Sequence, residues 1–244
     1  MIINKQKTFI IGDIHGMYDK LIACLQAVNF DYDNDKLIQL GDVVDRGPDS
    51  YLVVDELIKI KNLVSIKGNH DKTWWDSVIN NQPNILFNQG GRETLQSYIE
   101  YCIPTRSFNL EDGTTDFVIS DIPQSHIDFF NNQLYYYIDD QNNCFVHGGF
   151  NRHVLIEKQS LNNMLWDRDL WQVAMGWEYV KSKETYPFKN KNNFKEIFIG
   201  HTPTIYFGKS IPFTAANITD LDTGCGKGGL LTIMNLETRE YKQF

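Results

Sequence analysis

The sequence predicts an α/β fold. In the first third of the chain, short apolar runs alternate with segments whose apolar residues recur at helical spacing, and apolar runs return in the final third. The β-α-β-α-β order predicts parallel strands joined by right-handed crossover helices. The 244 residues suffice for one large domain with a substantial core, so we expect residues 1–244 to form a single domain.

The first elements are three strands and two helices. Residues 8–11, 37–40 and 63–66 are apolar runs of strand length. Between them, apolar side chains recur at helical spacing from residue 18 to 28 and from 52 to 60, which predicts two helices.

The middle of the chain is predicted to be more helical. We expect helices over residues 88–101 and 125–134, the second with Ser125 as its N-cap. A turn-rich segment, residues 109–115, separates them.

The final part returns to strands. Residues 135–138 and 144–146 predict a β-hairpin. Residues 181–195 are rich in Lys and Asn and predict a surface loop or insertion. Further strands are predicted at residues 197–199, 216–221 and 230–234.

Composition excludes some classes of partner. Hydrophobic residues make up 42% and charged residues 22% of the chain, which is ordinary for a globular protein. The net charge of −8, without a basic stripe, argues against a nucleic-acid partner. No apolar run reaches the roughly 18 residues of a membrane span, and the N-terminal apolar run meets Gly12 and Asp13 too early for a signal peptide. We therefore expect a cytoplasmic protein with no membrane partner.

Five of the predicted strands end at a glycine flanked by side chains that can bind metals or transfer protons. These segments read GDIHG at 12–16, GDVVDRG at 41–47, GNHD at 68–71, HGG at 147–149 and GHTP at 200–203. Ligands of open α/β sheets bind outside the carboxyl ends of the strands, so residues distant in sequence can converge there. The glycines permit the sharp turns and close backbone approach that short Asp, Asn and His side chains need.

The residue types in these loops favour transition-metal ions. Asp13 and His15 are two residues apart, so an extended backbone directs both to one side. A carboxylate with an imidazole suits Mn, Fe, Zn or Co better than Ca or Mg. Asp42 can bridge two cations, and two metals about 3.5–4 Å apart can activate water and clamp a phosphoryl displacement. The loops contain no cysteine, which argues against a closed structural zinc site.

The five motifs, in this order, resemble the signature of the PPP-type, calcineurin-like metallophosphoesterases. GNHD and the compact length resemble most the bacterial and phage branch of lambda-phosphatase-like serine/threonine protein phosphatases. The resemblance implies two mixed β-sheets in a central sandwich flanked by helices. It also implies hydrolysis of phosphate monoesters by a hydroxide activated by two divalent metal ions, with Mn expected in vitro and Fe, Zn, Co or Ni as alternatives.

The resemblance assigns six metal ligands. The first metal is expected on Asp13, His15 and Asp42, and the second on Asp42, Asn69, His147 and His201. Asp42 is shared between the two.

The resemblance also assigns acid catalysis and substrate binding. His70 is the expected general acid, oriented by Asp45, because a carboxylate partner favours the charged imidazole. Arg46 and Arg168 are expected to bind the phosphoryl oxygens, with Asn69 beside them.

Lys67 departs from the pattern. It stands where many relatives carry arginine, so we expect it at the substrate without the planar fork of a guanidinium.

The resemblance does not identify which phosphate ester is the substrate. We expect a protein phosphatase acting on phosphoserine or phosphothreonine in proteins or peptides, or on small phosphoesters, and we favour a monomer. The alternative within the same chemistry is symmetrical hydrolysis of diadenosine tetraphosphate or a related dinucleoside polyphosphate. A non-catalytic metal-binding regulatory module is a third, weaker alternative, because every expected ligand and the expected acid are present.

Several simpler signals are given structural interpretations. Cys102 and Arg106 lack the C-x5-R spacing of a cysteine-dependent phosphatase, and we expect all four cysteines to be reduced. Lys227 is not followed by Ser or Thr, so the glycines around it are not a nucleotide-binding loop. Trp74 and Trp75 are expected to pack the helix after GNHD. His126 and His153, which belong to no motif, are also expected to be structural.

Overall fold

Ten strands form the centre of the computed structural model, which describes residues 6–82, 84–109, 111, 113–180 and 182–244. The expected turn at 109–115 and loop at 181–195 thus include Leu110, Asp112 and Lys181, which lie outside the described residues. The strands are β1 Thr8–Ile11, β2 Lys36–Gln39, β3 Asn62–Ser65, β4 Tyr136–Ile138, β5 Cys144–Val146, β6 Ile197–Ile199, β7 Phe213–Ala215, β8 Ile218–Asp220, β9 Thr232–Asn235 and β10 Tyr241–Gln243.

The strands pair into two mixed sheets. The first has the order β10-β9-β1-β2-β3, in which β1, β2 and β3 are parallel and β9 and β10 are antiparallel to their neighbours. The second has the order β4-β5-β6-β8-β7, with β5, β6 and β8 parallel and an antiparallel strand at each edge. Both the expected βαβαβ unit and the β4–β5 hairpin are confirmed.

Seven α-helices accompany the sheets in the described residues. They are α1 Tyr18–Ala27, α2 Ser50–Leu57, α3 Asn69–Asn80, α4 Gly91–Cys102, α5 Gln124–Asn132, α6 Leu161–Trp166 and α7 Asp169–Trp177. None of these helices, in the described part of the chain, has the length and hydropathy that a membrane crossing requires.

The side-chain alternation of the strands builds a layered core. Ile10 of β1 and Ile38 of β2 face a cluster that includes Phe145 and Phe198 of the other sheet, whose rings stack at 5.0 Å. Phe9, one residue before Ile10, instead packs with the helices on the outer face. Each fully buried ring contributes about 1.5–3 kcal/mol of transfer free energy. The two sheets therefore form the expected sandwich with helices outside.

Several predicted boundaries differ from the structure, and three of the differences have a local cause. The helix expected at residues 88–101 begins at Gly91, because a 3₁₀ turn and the left-handed Gly90 (φ 117°) precede it. Ser125 is not an N-cap, since the carbonyl of Pro123 already accepts the first helical hydrogen bonds and α5 begins at Gln124. The strand expected at 216–221 is shorter because Ala216 turns with φ 53° between β7 and β8.

Candidate dinuclear metal centre

The five motif loops converge at the carboxyl ends of β1, β2, β3, β5 and β6. The first sheet and the loops that follow its strands supply five of the expected side chains, and the second sheet supplies two. All are buried, with at most 7% of the side chain exposed: Asp13, His15, Asp42, Asn69, His70, His147 and His201.

Asp42 lies at the centre of this cluster. Its Oδ2 is 3.6 Å from Nε2 of His15, and its Oδ1 is 3.4 Å from Nε2 of His147. The two carboxylate oxygens thus face imidazoles from different sheets. This is the arrangement that a carboxylate bridging two cations needs.

Two overlapping groups of donor atoms surround Asp42. The first group consists of donor atoms of Asp42, His15 and His70, and the second of donor atoms of Asp42, His147 and His201. Within each group the donor atoms lie within 4.8 Å of one another. Asp13 adjoins the first group, with Oδ2 at 4.0 Å from Nε2 of His15.

Asn69 adjoins the second group. Its Oδ1 lies 3.0 Å from Nε2 of His147, while Nδ1 of His147 lies 2.8 Å from the carbonyl of Leu40. The backbone carbonyl accepts the proton of Nδ1 and leaves Nε2 directed at the cluster. The six expected metal-binding side chains are therefore brought together.

The strand-end glycines make room for this cluster. A Cβ on Gly68 would lie 2.0 Å from Oδ1 of Asp42, and a Cβ on Gly200 would lie 2.1 Å from Oδ1 of Asp13. No residue with a side chain fits at either position.

The backbone itself is strained at the site. Five non-glycine site residues have positive φ, between 50° and 71°: His15, Asp42, Asp45, Arg46 and His201. Non-glycine residues rarely adopt this region, and strain of this kind costs about 1–3 kcal/mol per residue. Such strain persists only where the surrounding fold imposes it.

Burial and mutual repulsion leave the carboxylates in need of positive charge. Burial, then the neighbouring Asp222 and Asp42, raises the pKa of Asp13 well above its usual value. Burial also acts to raise the pKa of Asp42, but His147, His70 and His15 outweigh it and hold that pKa well below its usual value.

The imidazoles at the edges of the cluster are held neutral. Burial lowers the pKa of His15 well below its usual value. Burial, and then the charges of His147 and Arg168, lower the pKa of His201 to about 2. A neutral imidazole keeps the lone pair that binds a metal ion.

The donor set fits divalent cations. His201 Nε2 is buried and has no hydrogen-bond partner within the described ranges of the chain, although it belongs to the group around Asp42. Imidazole, carboxylate and carboxamide donors without thiolate suit Mn, Fe, Co, Ni or Zn.

His70 has the contacts of a proton donor. Its Nδ1 is 2.6 Å from Oδ2 of Asp45, whose Oδ1 accepts a 2.7 Å hydrogen bond from Oγ1 of Thr94. The backbone N–H of Asp45 donates back to the same Thr94 oxygen at 2.8 Å. The carboxylate is thus fixed on both sides, and it fixes the ring of His70.

Two arginines lie near different histidines of the cluster. The guanidinium of Arg46 contacts Nε2 of His15 and donates to Nε2 of His70 at 2.9 Å. Arg168 is exposed at the start of α7, and its charge acts on His201, whose ring also lies edge-on to Trp166 at 5.8 Å.

Comparison with known sequences decides the family. A sequence profile described as calcineurin-like phosphoesterase matches residues 7–204, which include all five motifs. The chain belongs to this family.

Individual relatives of this phosphoesterase have two kinds of name. The chain is 27% identical to the symmetrical bis(5'-nucleosyl)-tetraphosphatase of Buchnera aphidicola, over 96% of both chains. It is 33% identical to serine/threonine-protein phosphatase 1 of Salmonella typhimurium, over 36% of this chain and 40% of the relative. A crystal structure assigned provisionally as a diadenosine tetraphosphatase shares the fold, with a TM-score of 0.66, 18% identity and coverage of 100% of this chain and 95% of that one. The chain is therefore a metal-dependent phosphoester hydrolase. The names of its relatives differ in the ester that is hydrolysed.

Lys67 of the phosphoesterase forms its hydrogen bond with helix α5. It is 7% exposed, and its Nζ donates to the carbonyl of Phe130 in α5 at 2.6 Å. Burial lowers its pKa. This contact holds the ammonium against α5, so the substrate-binding role expected for Lys67 stays a prediction without support from its position.

Three residues around the centre were given no role from the sequence. Thr94 holds Asp45, as described above, and Asp222 repels Asp13 with its Oδ2 unpartnered among the described residues. Asp71 accepts hydrogen bonds from the backbone N–H groups of the 42–44 loop and of Gly68. A signal existed for Thr94, which follows the glycine pair at 90–91, and for Asp71, which is the last residue of GNHD.

Proposed function

We propose that this phosphoesterase removes phosphate from phosphoserine and phosphothreonine side chains of proteins. The observation that supports this proposal is that Arg46 contacts His70 and that the charge of Arg168 acts on His201, so that both guanidinium groups lie near the metal cluster. Two guanidinium groups can hold the non-bridging oxygens of one terminal phosphoryl group and offset charge in the transition state. Arg168 is exposed, so the phosphoryl group can be presented by a large substrate.

The residues of the chain divide the reaction between them. The six cluster residues would hold divalent ions, which would supply an activated water and offset phosphoryl charge. When the guanidinium of Arg46 binds phosphoryl oxygens instead of Nε2 of His70, that nitrogen is free to take up a proton from solvent and to face the leaving group. As the bond from phosphorus to the leaving oxygen breaks, His70 transfers its Nε2 proton to that oxygen, and Asp45 holds the ring at Nδ1.

Manganese is the ion that we propose for activity in vitro, with Fe, Zn, Co and Ni as alternatives. The proposal rests on the mixed imidazole and carboxylate donors of the cluster. Metal analysis of the purified protein, and activity after reloading with each ion, tests it.

A second candidate is hydrolysis of dinucleoside tetraphosphates. The Buchnera relative matches nearly the whole chain. In addition, Lys227 lies close enough to Arg46 for the guanidinium to lower its pKa, and both line a cleft of about 390 Å³ together with Arg92. Cations next to the phosphoryl site suit a substrate with several phosphates in a row.

A substrate panel separates the two candidates. Turnover of a phosphoserine peptide, p-nitrophenyl phosphate and diadenosine tetraphosphate is compared with Mn²⁺ present. We expect the peptide to be cleaved and Arg168→Ala to raise its KM, while Lys227→Ala leaves peptide turnover unchanged. Predominant cleavage of the dinucleotide, weakened by Lys227→Ala and accompanied by negligible peptide turnover, would overturn the first candidate in favour of the second.

A further inference from the structure

A cavity lies behind the acid-base pair, between α3 and α4. Its volume is about 130 Å³, and it is half-enclosed by the two helices and the segment at 113–117. The side chains around it are aromatic, aliphatic or neutral polar, and none of the lining residues in the described part of the chain is charged. The cavity therefore suits an uncharged occupant.

Two buried donors in this lining have no partner. Trp74 is 2% exposed and Asn84 is 8% exposed, and neither Nε1 of Trp74 nor Nδ2 of Asn84 has a hydrogen-bond partner in the part of the chain that the structure describes. The orientation of the Asn84 amide is fixed, because its Oδ1 accepts from the backbone N–H of Leu86 at 2.8 Å. An unpaired buried donor costs about 1–3 kcal/mol, so an occupant with acceptor atoms would be stabilised here.

The apolar walls restrict the shape of that occupant. Phe87 and Phe117 line the cavity together with the ring of Trp74 and the side chain of Leu95. An engineered apolar cavity of about 150 Å³ holds one benzene ring, and this cavity is of similar size. We propose that it binds an uncharged, six-membered heteroaromatic ring with hydrogen-bond acceptors, the chemical class of a pyrimidine base.

The helices that form the cavity also carry the acid-base pair. Trp74 is four residues after His70 on α3, so both lie on one face of that helix. Leu95 directly follows Thr94, which holds Asp45. An occupant packed between Trp74 and Leu95 therefore contacts the two helices whose relative position sets the contact between His70 and Asp45.

Binding is tested on the full chain loaded with Zn²⁺, which is diamagnetic, by following the ¹⁵N-labelled indole N–H signals. Trp74→Phe identifies the signal of Trp74 and removes its donor. We expect cytosine to shift this signal saturably, and cyclohexane, which has neither an acceptor nor an aromatic ring current, to leave it nearly in place. Trp74→Phe and Asn84→Ala should each weaken cytosine binding about tenfold, measured calorimetrically.

The neighbouring tryptophan supplies a matched control. Trp75 is also buried, but its Nε1 donates to Oδ1 of Asn131 at 3.0 Å and it does not line the cavity. Trp75→Phe should leave cytosine binding unchanged. Equal losses in the Trp74 and Trp75 variants would show a general packing effect and overturn the proposal, as would the absence of a saturable shift, which indicates a cavity filled by water alone.

A second binding experiment identifies the kind of molecule that carries the ring. If cytidine 5'-monophosphate shifts the Trp74 signal and competes with p-nitrophenyl phosphate, the ring belongs to a nucleotide that reaches the metal centre. If only the free base shifts it, without competition, the ring is that of a separate effector. Either result supports the site, and neither depends on whether the physiological ester is a phosphoprotein.

Discussion

Asp71→Asn should destabilise the protein strongly while preserving the size of the side chain. Oδ1 of Asp71 accepts from the N–H of Val43 at 2.8 Å, and Oδ2 accepts from Asp42, Gly68 and Nε2 of Gln133 at 2.9–3.0 Å. The residue is fully buried, so water cannot replace any of these bonds. An asparagine has only one acceptor oxygen and must direct its NH₂ group at N–H donors.

The magnitude follows from the better of the two amide orientations. Placing the oxygen toward Asp42, Gly68 and Gln133 leaves the N–H of Val43 facing the new NH₂ group. Each buried donor without a partner costs about 1–3 kcal/mol, so the N–H of Val43 and the new NH₂ group together give a loss of about 2–6 kcal/mol. Burial and then Asp42 raise the pKa of Asp71, and the neutral amide relieves that repulsion, so we expect about 3 kcal/mol.

Urea unfolding of the two variants Asp71→Asn and Asp76→Asn measures this loss. Asp76 is on the same helix, but its side chain is half exposed and pairs with Lys72, so its variant should change the free energy of unfolding by less than about 0.5 kcal/mol. The Asp71 variant should also bind metal more weakly, because the backbone around Asp42 loses its anchor. Equal unfolding midpoints for the two variants would refute this account of Asp71.

Three further outcomes concern the catalytic residues and one buried histidine. Asp42→Asn should abolish metal-dependent activity. His70→Asn should keep the metals, which elemental analysis checks, and its kcat should fall about 10²–10⁴-fold with poor leaving groups but less with p-nitrophenyl phosphate. Full activity in both variants would contradict the mechanism. Thr94→Val should lower kcat about tenfold with little change in KM, because Asp45 loses its second anchor; an unchanged pH profile and kcat would assign Thr94 a packing role only. Burial lowers the pKa of His126 to about 4, below its value of about 6.5 in the unfolded chain, so protons bind the unfolded state preferentially. The free energy of unfolding should therefore fall by about 2–3 kcal/mol as the pH drops from about 6.5 to 4, and His126→Gln should abolish much of this slope while the exposed His153→Gln should not.

The strand-end motifs could be predicted from sequence because their geometry is local. Asp13 and Asp42 each follow a short apolar strand, and a parallel sheet brings such positions to one edge whatever the rest of the fold does. The two short edge strands β7 and β10 carried no comparable signal. Tyr241–Gln243 is polar, lies at the edge of its sheet and pairs only with β9, so its conformation depends on that neighbour.

The supporting contacts could not be predicted because they join residues far apart in sequence. Thr94 reaches Asp45 across 49 positions, and the carbonyl of Phe130 holds Lys67 across 63. Nothing in the sequence around Lys67 distinguishes a lysine directed at a phosphate from one directed at a helix carbonyl. The packing of α5 against the loop decides it, and that packing is tertiary.

The sharing of the cluster between two sheets has a consequence for protein synthesis. Asp13 leaves the ribosome long before His201, which emerges only after most of the second sheet. A nascent chain that ends before residue 201 has the complete βαβαβ unit and its acidic loops, but no imidazole at that corner of the cluster. The excess of buried carboxylates then has fewer partners, so the N-terminal half is expected to close fully only when the last strands dock. Enzymatic activity is thus expected only once the sandwich is completed.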